Sequence, residues 1–145
     1  MATKIFITIE RGDPLDYMEY RHTALHLIFP DATQSIMHVL GTDGMFNFQE
    51  RENYDPSTSP LYVKSARVAD IPDIISPALI KLIILMTPVK NQLEDMPWNC
   101  QNWVGDALSR LVAYNYVTEA DRERAIDEMV TACFEAEDEE SRPAF

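Results

Sequence analysis

The chain has 145 residues, 46% hydrophobic and 25% charged, which suits one compact domain over 1–145 with a buried core. Its 12 basic and 24 acidic residues give a formal charge of −12, which opposes binding to nucleic acid and to anionic lipid surfaces. Two cysteines, Cys100 and Cys133, are too few for a disulfide scaffold, although one bridge is compatible with the count.

The first half reads as short strands separated by turn residues. Lys4 to Glu10 is rich in β-branched residues and predicts a first strand, stopped at Arg11-Gly12-Asp13-Pro14. Leu15 to Arg21 reads as irregular. His22–Phe29 and Ser35–Gly41 predict a hairpin around Pro30–Gln34, and Met45–Glu50 follows the turn Thr42-Asp43-Gly44 as a fourth strand. Asn53 to Pro60 is a polar loop, and Leu61–Val68 predicts a fifth strand. The N-terminus runs directly into strand pattern without the apolar segment of a signal peptide, so the expected setting is cytoplasmic and reducing.

After about residue 72 the pattern turns helical. A first helix starts at Pro72 or at Ser76-Pro77; with Leu79, Ile80, Leu82, Ile83 and Leu85 it is apolar on most sides and is expected to be buried. Its apolar run, Ile74 to Val89, carries Pro77 and Lys81 and is shorter than the roughly 20 residues that span a bilayer. A second helix is predicted from Cys100 to Tyr116. A third is capped by Thr118 and ends in the acidic stretch Glu135–Glu140, followed by a frayed tail. Strands first and helices second predict an α+β fold: an antiparallel sheet of about five strands against two or three helices.

The chemistry-bearing residues fall in two places. At about 100° per residue, Cys100, Val104, Ala107, Leu108, Leu111 and Tyr114 share the helix side that packs on the sheet. Asn99 is a natural N-cap, and the unpaired N–H groups of a first turn favour thiolate over thiol. All three histidines lie on the predicted hairpin. Strand alternation puts His22, Ala24 and His26 on one face; pairing Ile28 with Gln34 or with Ile36 brings His38 to that face opposite Ala24 or His26. A zinc site is disfavoured, because neither a helical His-x-x-x-His nor a Cys-x-x-Cys pair occurs, and no cofactor is expected. Cys133 reads as core or as a thiol near the surface.

Three segments carry a family resemblance: His22-Thr-Ala-Leu-His-Leu, then Ile36-Met-His38-Val-Leu-Gly41, then Asn99-Cys100-Gln101-Asn102-Trp103-Val104. Together, from about Tyr20 to Val112, they resemble the permuted papain-like group, which includes the lecithin:retinol acyltransferase-like enzymes and relatives of the NlpC-type peptidases. The Asn-Cys-Gln-x-Trp segment also resembles small fungal proteins of unassigned function. The resemblance implies Cys100 as nucleophile, His22 as general base and His38 as the group orienting it. His26 is the substitute base, and Gln101 and Trp103 line the substrate site beside it. The Cys100 N–H would supply part of an oxyanion hole.

The expected function is therefore a cysteine hydrolase or acyltransferase acting on an amide, ester or thioester of a small-molecule or acyl-type substrate. Two rivals belong to other classes. One is a non-catalytic binding module on the same scaffold. The other is a small-molecule-tailoring enzyme of secondary metabolism, using His38 or His26 for acid–base work.

Overall fold

The computed structural model describes residues 1–13 and 15–136. Five strands, β1 (Ala2–Glu10), β2 (His22–Ile28), β3 (Gln34–Leu40), β4 (Asn47–Glu52) and β5 (Tyr62–Pro72), form one antiparallel sheet in the order β4-β3-β2-β1-β5. Three helices follow, α1 (Pro77–Leu85), α2 (Cys100–Ala113) and α3 (Glu119–Phe134). The expected α+β architecture is the observed one. The expected acidic tail lies outside the described residues from position 137 onward.

Alternation along the strands decides where the core sits. Ile5, Ile7 and Ile9 of β1, Leu25 and Leu27 of β2, and Met37 and Val39 of β3 point to one face and are almost wholly buried. The inward residues of all three helices join them in one cluster, including Ile80, Ile84, Val104, Leu108, Leu111 and Met129. The helices therefore cover this face alone. Ala24, His26, Ile36 and His38 alternate to the opposite face and are also buried.

Local chemistry sets the helix starts. Pro77 occupies the first turn of α1, where its missing N–H costs nothing. The Asn99 side chain accepts from the N–H groups of Gln101 and Asn102, while Asn102 Oδ1 accepts from Asn99 N at 3.0 Å, a reciprocal cap. Thr118 Oγ1 accepts from Asp121 N at 3.1 Å and opens α3.

Three expectations need correction. Helix α1 buries only the stripe Ile80, Ile83 and Ile84, because it has neighbours on one side; Leu79, Leu82 and Leu85 remain 38%, 48% and 51% exposed. Helix α2 stops at Ala113, because Asn115 adopts φ 62° and turns the chain, so Tyr114 is exposed rather than inward. Strand β5 runs to Pro72 instead of Val68, since register shifts let it follow β1 back to Ala2. Among the described residues no helix is long and apolar enough to cross a membrane.

Candidate active site at a fork in the sheet

The hairpin pairs Ile28 with Gln34, Leu27 with Ser35, His26 with Ile36 and Leu25 with Met37, and there the β2–β3 ladder ends. Yet β2 continues to His22 through its pairing with β1, and β3 continues to Leu40 through its pairing with β4. The two strands thus part company at one end of the sheet. Side chains bridge the fork: His22 Nε2 and His38 Nδ1 are hydrogen bonded at 2.7 Å, with ring centroids 4.9 Å apart. His38 Nε2 is in turn hydrogen bonded to Gln49 Oε1 of β4 at 2.9 Å. Gln49 is the residue the sequence reading missed. It stands directly across the β3–β4 ladder from His38, a register that was not fixed while β4 was expected to start at Met45.

Helix α2 begins beside the same end of β2. Cys100 Sγ donates a long, weak hydrogen bond of 3.9 Å to the carbonyl of Arg21, the residue before His22. Gln101 Nε2 donates to Arg21 O at 3.2 Å and to Met18 O at 3.0 Å, which fastens the first turn of α2 to the chain entering β2. Arg21 is itself held. Its guanidinium makes two 3.0 Å bonds to the Asp16 carboxylate and donates to Ala132 O of α3 at 2.8 Å. Backbone and side chain of Arg21 thereby fix the entry to β2, the start of α2 and the end of α3 together.

The sulfur and the imidazoles are not on one face, as the sequence reading expected. Cys100 packs within the core cluster on the helix-covered face, beside Thr23, whereas His22, one residue earlier, alternates to the other side. Among the described residues no hydrogen bond joins Sγ to an imidazole. What Cys100 touches is the carbonyl of Arg21, the residue before His22, where the ladder to β3 has already ended. His26 stands apart from the pair. Its Nε2 is bonded to Gln34 Oε1 at 2.7 Å, and its ring lies tilted on Phe6. Gln101 is spent on backbone carbonyls, and Trp103 is fully buried against Phe48, so both serve packing in this structure.

Electrostatics also depart from the simple helix-terminus argument. Burial pushes the Cys100 thiol up; the N–H groups of Thr23, Cys100 and Gln101 and the Thr23 hydroxyl pull it down, but less strongly. Desolvation wins, and the sulfur is a thiol at neutral pH. Cys133, also buried, is pushed up to about 11. Burial, reinforced by His38, lowers His22 to about 4. Burial likewise lowers His38 and His26, opposed by their bonds to Gln49 and Gln34. All three imidazoles are therefore neutral near pH 7 and able to accept a proton.

These depressed values link folding to pH. The unfolded chain takes up protons near the ordinary value of 6.5, whereas folded His22 does so only at about 4. Stability is thus full above pH 6.5 and falls as pH drops toward 4. For His22 alone the loss between pH 6.5 and about pH 5 is about 2 kcal/mol, with His26 and His38 acting in the same direction. Urea midpoints recorded across this interval should fall with acidity, and less steeply in His22→Gln. A flat profile would show that the imidazole pair is open to water.

Among the described residues no group of three or more His, Cys, Asp and Glu is placed to hold a metal ion. A family model, that of a family of unknown function (DUF6540), matches residues 14–118, from the segment before β2 to the cap of α3. No curated protein and no solved structure matches the chain.

Proposed function

Because the chain belongs to DUF6540, a family of unknown function, its chemistry must be argued from its own residues; we propose a cysteine-dependent hydrolase or acyltransferase of permuted papain-like type. Cys100 is the nucleophile, His22 the base and His38 the group that orients it. The observation that carries this reading is the fork: the β2–β3 ladder ends at Leu25–Met37, and the His22–His38 bond spans the opening beside the first turn of α2. A nucleophile needs a base nearby and a third group to fix that base; the linked His22 and His38 support the last two roles, and Cys100, bonded to the carbonyl of the residue before His22, supports the first.

The protonation states shape the mechanism. The thiol and the imidazole are both neutral and lie on opposite sides of the sheet, so no thiolate–imidazolium pair stands ready in the resting site. Proton transfer from Sγ to His22 accompanies attack on the acyl carbon. A sulfur–carbon bond forms, the bond to the leaving oxygen, nitrogen or sulfur breaks, and His22 returns the proton to the leaving group. The Cys100 N–H, at the open start of α2, faces the developing oxyanion. Water or a second acceptor then releases the acyl group. Substrate binding has to open the site, since Cys100 is only 8% exposed.

Intact-mass analysis after exposure to p-nitrophenyl acetate and to an acetyl thioester tests this. The expected result is one acetyl group on Cys100, no adduct at that position in Cys100→Ala, and loss of the adduct in His22→Ala with Cys100 intact. Folded wild-type protein that stays unmodified at Cys100 would overturn the reading. The buried, neutral state of Cys100 favours one rival, in which the imidazole pair performs acid–base chemistry on a small molecule without the sulfur. Under that rival Cys100→Ala keeps activity and His38→Ala loses it.

A further inference from the structure

We propose that Gln49 is a positioning residue that fixes the tautomers of both linked imidazoles and leaves the lone pair of His22 on Nδ1. The argument follows the hydrogen bonds from β4 inward. Gln49 meets His38 through its amide oxygen, which can only accept, so the hydrogen of His38 is on Nε2. A neutral imidazole carries one hydrogen, so His38 Nδ1 is an acceptor. The 2.7 Å bond to His22 therefore takes its hydrogen from His22 Nε2. The free lone pair of the chain then rests on His22 Nδ1, the only nitrogen of the two rings without a partner in the relay.

Both rings must be neutral for this logic to hold, and burial keeps them so. The charged groups acting on His38 oppose each other: Glu10, across the ladder from His22, favours its protonation and Arg51 of β4 disfavours it. Neither replaces the acceptor that Gln49 supplies. Gln49 is exposed on an edge strand, so it acts through His38 without entering the core. The catalytic consequence rests on the proposed role of His22 as base; the tautomers themselves do not.

Histidine ¹⁵N NMR near neutral pH reads the tautomers without any substrate. The expected wild-type pattern is Nε2–H on both His22 and His38. Gln49→Glu keeps an acceptor at this position and should keep the pattern. Gln49→Lys presents only donors and should invert both rings, placing hydrogen on Nδ1 of His38 and then on Nδ1 of His22. With the lone pair gone from Nδ1, acetylation of Cys100 should fall roughly a hundredfold in Gln49→Lys and persist in Gln49→Glu. Hydrogen on Nδ1 of either ring in the wild type, or an unchanged pattern in Gln49→Lys, would overturn the proposal. The expected tautomers with no acetylation of wild-type Cys100 would uphold it and defeat the hydrolase reading instead.

Discussion

Replacing Arg21 by alanine is expected to destabilise the fold by about 3 kcal/mol, the lower end of the range for removing one partner of a buried ion pair. The lower end applies because the Asp16 side chain is 30% exposed and can recover water, while that of Arg21 is only 7% exposed. The larger part of the loss comes from Ala132 O, which forfeits its 2.8 Å charge-assisted bond at the end of α3. Damage should spread to the site, because the Arg21 carbonyl holds both Cys100 Sγ and Gln101 Nε2. Arg21→Lys keeps the charge but cannot form the paired bonds to Asp16, and should fall between wild type and Arg21→Ala. Urea denaturation of the three proteins measures the series. A loss under about 1 kcal/mol in Arg21→Ala would mean that the pair behaves like a solvated surface contact.

Trp103→Ala should cost about 3–5 kcal/mol, the usual penalty for deleting a large aromatic from a close-packed core. Trp103 is 0% exposed and lies 5.8 Å, centroid to centroid, from Phe48. Its indole N–H has no hydrogen-bond partner among the described residues, which makes the wild-type ring itself costly. Trp103→Phe removes that orphan donor while keeping most of the ring, so it should lose far less than the alanine variant. Guanidinium unfolding midpoints decide between them. Equal losses in both variants would show that the N–H is satisfied and that its hydrogen bond, rather than the buried ring, governs the site.

Much of this architecture can be read from residue order. Leu25, Leu27 and Phe29 alternating with His22, Ala24 and His26 already separate the two faces of β2. The Pro30–Gln34 turn restricts the hairpin to few registers, and the one adopted sets Ile28 opposite Gln34. Asn99 and Thr118 mark their helices because short polar side chains satisfy first-turn N–H groups whatever the surroundings. The choice of face was not legible. Helical periodicity says that Cys100 points inward, but not which side of the sheet is inward, and the leucine-bearing side took the helices.

The fork was hidden for a related reason. A break between β2 and β3 leaves no mark on either strand, since each remains hydrogen bonded to its other neighbour. A helix terminus misleads about the thiol, because its backbone N–H groups are legible in the sequence while desolvation, the larger effect at Cys100, is not. Apolar content misled in α1 too. It tells how oily a helix is, while the number of neighbours determines how much of it is covered.

Strand β5 borders the sheet on the side away from β4, and its register slips where Arg67 and Val68 meet β1. There Arg124 Nη2, reaching from α3, takes both carbonyls, Arg67 O at 2.9 Å and Val68 O at 2.7 Å. A guest strand seeking to zip onto this border finds two adjacent acceptors near its middle already claimed by a cation. Fibril-like growth is left with the β4 border, where Glu50, Arg51 and Glu52 confront any incoming copy with the same charges in the same places. Each border of the sheet thus carries a device that opposes templating a polymer, a side chain on two carbonyls at one and charged residues at the other.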